Sequence, residues 1–392
     1  MKVLVTGGAG YIGSHACKAL AQWGHQPIVY DNLLTGHRDA VRWGPLAVGD
    51  ILDRDRLDAV FAAHRPDMVI HFAALAYVGE SVADPGAYYR VNVGGTLSLL
   101  QAMVRHQVLA LVFSSSCATY GAPDSLPIIE TTPQVPINPY GYTKLAVERM
   151  LADFGTAHKI RSVALRYFNA AGADADGELG ERHDPETHAI PLAIKAALGL
   201  GPTFTVLGTD YPTQDGSAIR DYVHVSDLAD AHLKALHYLE AGGERAAFNL
   251  ATGVGTSVLK LVSAVAEVTK KPVPVSYLPR RSGDPAILYA TSKRAQEQLG
   301  WKPQFVTTEE TVETAVRFFQ QSASSSTPLR RDRVALRLGE RVRGRHALSS
   351  ETLKQRYRYD AGRKKACRKS MKPIDLLSSL SEPSRLLIKF DW

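Results

Sequence analysis

Apolar residues occupy Val3 to Val5 without interruption and give way to a glycine cluster, after which a helical period runs from Ile12 to Trp23 with Gly24 at the capping position. Strand, tight turn and helix are predicted in that order. Further apolar runs follow at Pro27 to Tyr30, Leu46 to Val48, Met68 to Phe72, Ala110 to Phe113 and Val163 to Leu165. Helix-like stretches such as Asp53 to Ala62, Tyr88 to Val104 and Tyr142 to Phe154 fill the intervals. Strands that are apolar at every position are covered on both faces, so the alternation predicts an α/β fold with a doubly wound parallel sheet over residues 1–171. After Gly172 the spacing loosens into loops rich in Gly, Pro and Asp, which predicts a smaller C-terminal substrate-binding domain over 172–322. Asp227 to Leu239 and Ala247 to Leu250 read as a helix and strand able to return to the first sheet.

Composition narrows the class. With 392 residues, 45% hydrophobic and 22% charged, the chain has the makeup of a globular protein. It has no run of about 18 apolar residues, and glycines interrupt its start where a signal peptide needs an apolar centre, so a cytoplasmic location and no membrane contact are expected. Cys17, Cys117 and Cys367 are far apart with no CxxC pair, which reads as reduced thiols and no metal site. The net charge of +7 is unevenly placed: residues 323–392 hold 18 Lys and Arg against 7 Asp and Glu, leaving 1–322 at −4. Ser322 to Pro328 reads as a linker, and the basic segment 323–392 beyond it as a low-order tail. Such a tail could be merely solvated, could contact nucleic acid, or could be a frame-shifted translation without a role.

Gly7, Gly10 and Gly13 form GxxGxxG between the first strand and first helix. The turn needs backbone without Cβ, a pyrophosphate must approach closely, and free amides at the helix start face phosphates. The context is that of a Rossmann-type dinucleotide site. Asp31 ends the second strand, where a carboxylate accepts from ribose hydroxyls and repels a 2′-phosphate, which favours NAD over NADP. Asp50, after the third strand, could reach the adenine edge or cap the following helix.

Tyr140 and Lys144 lie four apart on a predicted helix and therefore share a face. A nearby ammonium favours the phenolate, which lets a tyrosine act as a base toward a sugar hydroxyl. Ser116 ends an apolar strand on the same sheet edge as the glycine loop and could hold the oxygen losing its proton, though Ser114 or Ser115 could take that role.

The motifs GGAGYIGSH, DNLLTG, GDI, HFAAL, VGES, FSSSCATYG, NPYGYTK, LRYFNAAG, DYPTQDGSAIRDYVHVSDLADAH and PRRSGD span about residues 1 to 320. Together they resemble the UDP-glucose/UDP-galactose 4-epimerase family of the extended short-chain dehydrogenase/reductase superfamily. The resemblance implies tightly held NAD near Tyr11, Ile12, Asp31, Asn32, Asp50, Ile51, Phe72, Ala73, Ala74, Asn92, Ser116, Tyr140, Lys144 and Phe168. It implies a UDP-sugar near Asn169, His188, Arg220, Tyr222, Arg281 and Asp284, and inversion at C4 through a transient 4-keto sugar. Two arginines suit a diphosphate and Asp284 suits ribose hydroxyls, although either arginine could instead make a surface ion pair.

The chain departs from the family pattern at Ala76, where a lysine is frequent, at His188, where asparagine is frequent, and at Leu288, where tyrosine or cysteine stands. These positions leave the sugar open between hexose, pentose and N-acetylated forms. A dehydratase or decarboxylase on the same scaffold is a rival, weakened because a dehydratase needs an acid and base where Cys117 and Ala118 stand. A non-catalytic binding protein is another, set against by the intact Ser116, Tyr140 and Lys144. Apolar faces on Tyr88 to Val104 and Leu145 to Phe154 could pair two subunits as a homodimer or could simply be core.

Overall fold

β1 (Lys2–Thr6) enters the glycine turn and continues as α1 (Tyr11–Gln22), then β2 (Gln26–Asp31), β3 (Leu46–Val48), α2 (Arg54–His64) and β4 (Met68–His71). The computed structural model describes residues 1–280 and 285–325, which belong to one compact unit ending at Thr327. Two short helices, α3 (Val78–Ala83) and α4 (Pro85–Tyr88), lead into a π-helical stretch, Tyr89–Gly95, and α5 (Thr96–Arg105). β5 (Ala110–Ser116), α6 (Pro139–His158) and β6 (Arg161–Tyr167) complete the half. The predicted helix Tyr88 to Val104 is therefore broken in register: its first part is π-helical, and Asn92 and Gly95 of that part are buried.

α6 begins earlier than the apolar pattern suggested because Asn138 caps it, its Oδ1 accepting from the Gly141 amide at 2.9 Å, with Pro139 at the first helical position.

Beyond β6 follow β7 (Asn169–Ala171), α7 (Ala189–Leu198), β8 (Phe204–Leu207), β9 (Ile219–Arg220), β10 (Tyr222–His224), α8 (Val225–Glu240) and β11 (Ala246–Leu250). The chain continues with β12 (Thr256–Ser257), α9 (Val258–Thr269), β13 (Val275–Leu278), β14 (Ile287–Leu288), α10 (Lys293–Leu299) and α11 (Thr308–Ser325). The expected linker is corrected in part, since α11 continues through Ser325; the rest of the linker and the basic tail lie outside the described residues.

The main sheet has the order β11-β6-β5-β4-β1-β2-β3, and every pairing in it is parallel. Alternation along β1 shows how both faces are covered. Val3 and Val5 pack with Cys17 and Leu20 of α1 and Leu228, Leu233 and Leu236 of α8. Leu4 packs with Leu57 and Phe61 of α2, Leu99 and Met103 of α5, and Val147 and Leu151 of α6. α8 and β11 return to this sheet. A separate apolar cluster joins Ile190 and Ile194 of α7, Leu261 and Val265 of α9 and Val312 and Val316 of α11 to Phe204 and Val206 of β8.

Candidate active site

Strand order positions the chemistry. β2 and β3 lie to one side of β1, and β4, β5 and β6 to the other, so the connection direction reverses beside β1 and opens a crevice at the carboxyl ends of the strands. The glycine turn follows β1 and Ser116 ends β5, two strand spacings or about 10 Å across.

Gly7 has φ +73°, and a Cβ there would stand 2.6 Å from the Ala73 amide nitrogen. A Cβ on Gly13 would stand 2.2 Å from the Gly7 carbonyl oxygen. Gly10 occupies the N-cap of α1 and offers no side-chain cap, which leaves the first amides of the helix for an anion. Asp31 is buried at the end of β2, its Oδ2 accepting from the Ala9 amide at 3.0 Å and its Oδ1 from Leu33 at 2.8 Å. Burial raises its carboxyl above the usual range, against the pull of those amides. The turn, the uncapped helix and the acid on the adjoining strand fit a dinucleotide.

The remaining residues expected at the cofactor lie along the same edge. Asn32 donates to Asp50 Oδ2 at 3.0 Å, and Asp50 Oδ1 accepts from Leu52 at 2.9 Å. Asp50 does not cap α2; Asp53 does, accepting from Arg56 at 2.9 Å. Ile51 is buried against Gly95. Phe72 packs on His232 at 4.5 Å between ring centres, and its amide, like that of Ala73, donates to Thr6, with Ala74 next in line. Asn92 fastens this loop, accepting from Leu75 at 2.8 Å and donating to Leu75 and to Thr143 of α6. Tyr11 donates to Gly172 at 2.6 Å; Ile12 is half-buried and Phe168 buried.

At the far side, Tyr140, Lys144 and Glu148 recur every four residues along one face of α6. Tyr140 is half-buried and hydrogen-bonded to the Ser116 side chain, whose Oγ also accepts from Ala118 at 3.1 Å. Ser114 is bonded to Tyr167, and Ser115 donates to Glu148 at 2.6 Å. Ser116 thus meets the phenol while its neighbours are engaged elsewhere. Burial raises the Tyr140 phenol well above its usual value, and only the Ser116 bond is pulling it down. Lys144 is buried, donates to the Ser114 carbonyl at 2.8 Å, and has its ammonium lowered to about 7 by burial, with Glu148 opposing. Sequence reasoning missed Glu148, although the four-residue spacing from Lys144 was there to read.

The residues expected at the substrate divide. Asn169 and Tyr222 are register partners on β7 and β10. Arg220 pairs in register with Leu288 on β14, so the departure at Leu288 lies directly beside a residue expected at the diphosphate. His188 precedes α7 with a short contact from its Nδ1 to Glu181. Arg281 and Asp284 lie outside the described residues.

The model of the NAD dependent epimerase/dehydratase family matches residues 3–251. The chain belongs to that family. It is 57% identical over 303 residues to UDP-glucose 4-epimerase of Rhizobium leguminosarum bv. trifolii, covering 77% of this chain and 93% of the relative. Against UDP-glucose 4-epimerase of Halalkalibacterium halodurans the identity is 50%, over 80% of this chain and 94% of that one. The crystal structure of UDP-glucose 4-epimerase from Brucella ovis in complex with NAD superposes with a TM-score of 0.79 at 54% identity, covering 81% of this chain and 98% of that chain. That from Bifidobacterium longum in complex with NAD+ and UDP gives 0.79 at 38% identity, covering 82% and 99%.

Proposed function

We propose that this chain is an NAD-dependent epimerase inverting C4 of a UDP-sugar, with UDP-glucose and UDP-galactose as its substrate pair, through a transient 4-keto sugar. The observation that carries this reading is the meeting of Tyr140 with Ser116, one helical turn from the buried Lys144, across the crevice from the glycine turn. NAD bound there supplies the acceptor and donor of the C4 hydrogen, and its positive ring opposes the burial that keeps the phenol protonated. Tyr140 takes the proton of the 4-hydroxyl and later returns it, and Ser116 holds that oxygen. Lys144 favours the phenolate whenever it is charged. Residues 1–171 hold the dinucleotide through Gly7, Gly10, Gly13, Asp31, Asn32 and Asp50, and the uridine-diphosphate contacts come from Asn169 at the end of that half together with His188, Arg220, Tyr222, Arg281 and Asp284 of 172–322.

A homodimer working in the cytoplasm completes the reading. The apolar faces of α5 and α6 go into the core through Leu99, Leu100, Val147 and Leu151. What supports pairing is instead the exposed set Val82, Tyr89 and Tyr142, on α3, the π-helical stretch and α6, which pack side by side. Among the described residues, no helix is long and apolar enough to cross a membrane.

The pentose pair UDP-xylose and UDP-arabinose remains the alternative substrate. A dehydratase is disfavoured because Cys117 and Ala118 offer no acid or base beside Ser116, and burial pushes the Cys117 thiol up to about 12. Incubating the purified chain with each UDP-sugar, with no cofactor added, should yield the C4 epimer on chromatography. Tyr140→Phe should lower turnover about 10²- to 10⁴-fold while UDP-sugar binding persists; unchanged turnover refutes the role.

A further inference from the structure

The segment from Gly172 to His188 contains no helix or strand, yet it is fastened closely. Lys18 holds Asp174 at 2.8 Å, Asp176 at 2.7 Å and Glu178 at 2.7 Å, and Arg182 pairs with Asp39 at 2.8 Å. At its end four side chains converge. One donor atom each from Glu181, His183, Glu186 and His188 lies within 4.8 Å of all the others. Both imidazoles turn Nδ1 toward Glu181 Oε1, His183 at 3.0 Å and His188 in a shorter contact, while His183 Nδ1 lies 3.7 Å from Glu186 Oε1.

The two carboxylates are deep, with side chains only 4% and 5% exposed. Glu186 Oε2 is buried with no hydrogen-bond partner among the described residues. Lys195 Nζ is 3.8 Å from Glu186 Oε2, beyond hydrogen-bond reach. An orphaned carboxylate oxygen in the interior is costly, and a second, independent pointer to a missing ligand.

We propose that Glu181, His183, Glu186 and His188 bind a divalent transition-metal ion, zinc being the best match. Two imidazole nitrogens and two carboxylate oxygens form a four-ligand set of the kind zinc takes, whereas magnesium and calcium call for six or more oxygens. Zinc bonds of about 2.0–2.2 Å in a tetrahedron place donor atoms roughly 3.4 Å apart. The separations of 3.0 and 3.7 Å from His183 Nδ1 lie on either side of that value, and the closer contact between His188 Nδ1 and Glu181 Oε1 has to open for both atoms to bind one ion. Two carboxylates cancel the charge of the ion. Tyr11 and Tyr77 stand edge-on to the His183 ring at 6.3 and 5.9 Å, walling the cluster. The ion clips the irregular segment beside the glycine turn, closing a loop that its own backbone does not order. Ligation through Nδ1 leaves Nε2 of His188 for a diphosphate, so the clip goes beyond the proposed activity without contradicting it. The rival account of the same cluster is a set of imidazolium-carboxylate pairs without metal.

The test uses the full-length chain without an affinity tag, stripped with EDTA and dialysed, then titrated with zinc by calorimetry and with cobalt by visible absorption. Expected are about one zinc per chain and the intense d–d bands of tetrahedral cobalt. His183→Ala and Glu186→Gln should each lower the bound zinc below about one tenth per chain, because each removes one of four ligands. Glu186→Gln preserves shape, and far-ultraviolet circular dichroism verifies its fold. Failure of the unaltered chain to take up either metal, or equal uptake by both variants, overturns the site and leaves ion pairs. Epimer formation is scored separately, so a chain that binds zinc without converting any UDP-sugar sinks the proposed function and not the clip.

Discussion

The ammonium nitrogen of Lys144 lies 5.7 Å from the centre of the Tyr140 ring, held there by donation to the Ser114 carbonyl at 2.8 Å. A lysine in this position is costly to the folded chain, because burial lowers it to about 7 while the unfolded chain keeps it near the ordinary lysine value of 10.5. Between those two values the unfolded state binds more protons than the folded one, so stability rises with pH across that window and the deficit is full below it. In cofactor-free protein, the stability of the unaltered chain relative to Lys144→Met should climb from pH 7 to pH 9, by at most about 1.4 kcal/mol per pH unit. Thermal unfolding of both at several pH values measures the difference; a gap independent of pH would show that Lys144 stays charged in the fold.

Gly7 offers a sharper test of the dinucleotide turn. Its φ of +73° and the Ala73 amide 2.6 Å from any added Cβ oppose a side chain on two separate grounds. Gly7→Ala should cost at least about 1–2 kcal/mol from the left-handed backbone alone. It should also release the dinucleotide from the purified protein. Denaturant unfolding and the absorbance of the extracted cofactor read the two effects, and retention of full cofactor would refute close backbone approach.

Glu148 and Arg166 form a pair in the interior, with Nη2 to Oε2 at 2.5 Å and side chains 9% and 8% exposed. Arg166 also donates to Tyr120 at 2.8 Å, and Ser115 donates to the same carboxylate. Glu148→Gln leaves a guanidinium without its counter-charge and should destabilise the chain by about 3–5 kcal/mol. Replacing both partners with apolar residues of similar volume should cost less than that single change. Chemical denaturation of the single and double variants decides the order.

The comparison of pattern with fold is most instructive where it failed. Tyr88 to Val104 has helical periodicity throughout, but Asn92 needs to reach both Leu75 and Thr143, and the backbone there is π-helical. Asp50 could by its position cap α2, but the residue with its carboxylate on the Arg56 amide is Asp53, three positions on. Ser322 to Ser325 has linker composition and is nevertheless the end of α11. In the first two instances a contact from elsewhere in the chain, or a choice between nearby residues of like chemistry, outweighed local preference.

What the amino-acid order determined by itself was local: the glycine turn with its helix, the strand register of inward and outward apolar positions, and the face of α6 shared by Tyr140 and Lys144. These follow from helical and strand periods, which need no distant partner. The tertiary structure decided which residues meet. Ser116 reached Tyr140 because β5 and α6 pack on one sheet, and Leu288 came beside Arg220 because two short strands paired across a long separation. The burial of the Glu181 and Glu186 carboxylates was likewise decided by packing, since no spacing rule reports how much solvent the rest of a chain will exclude.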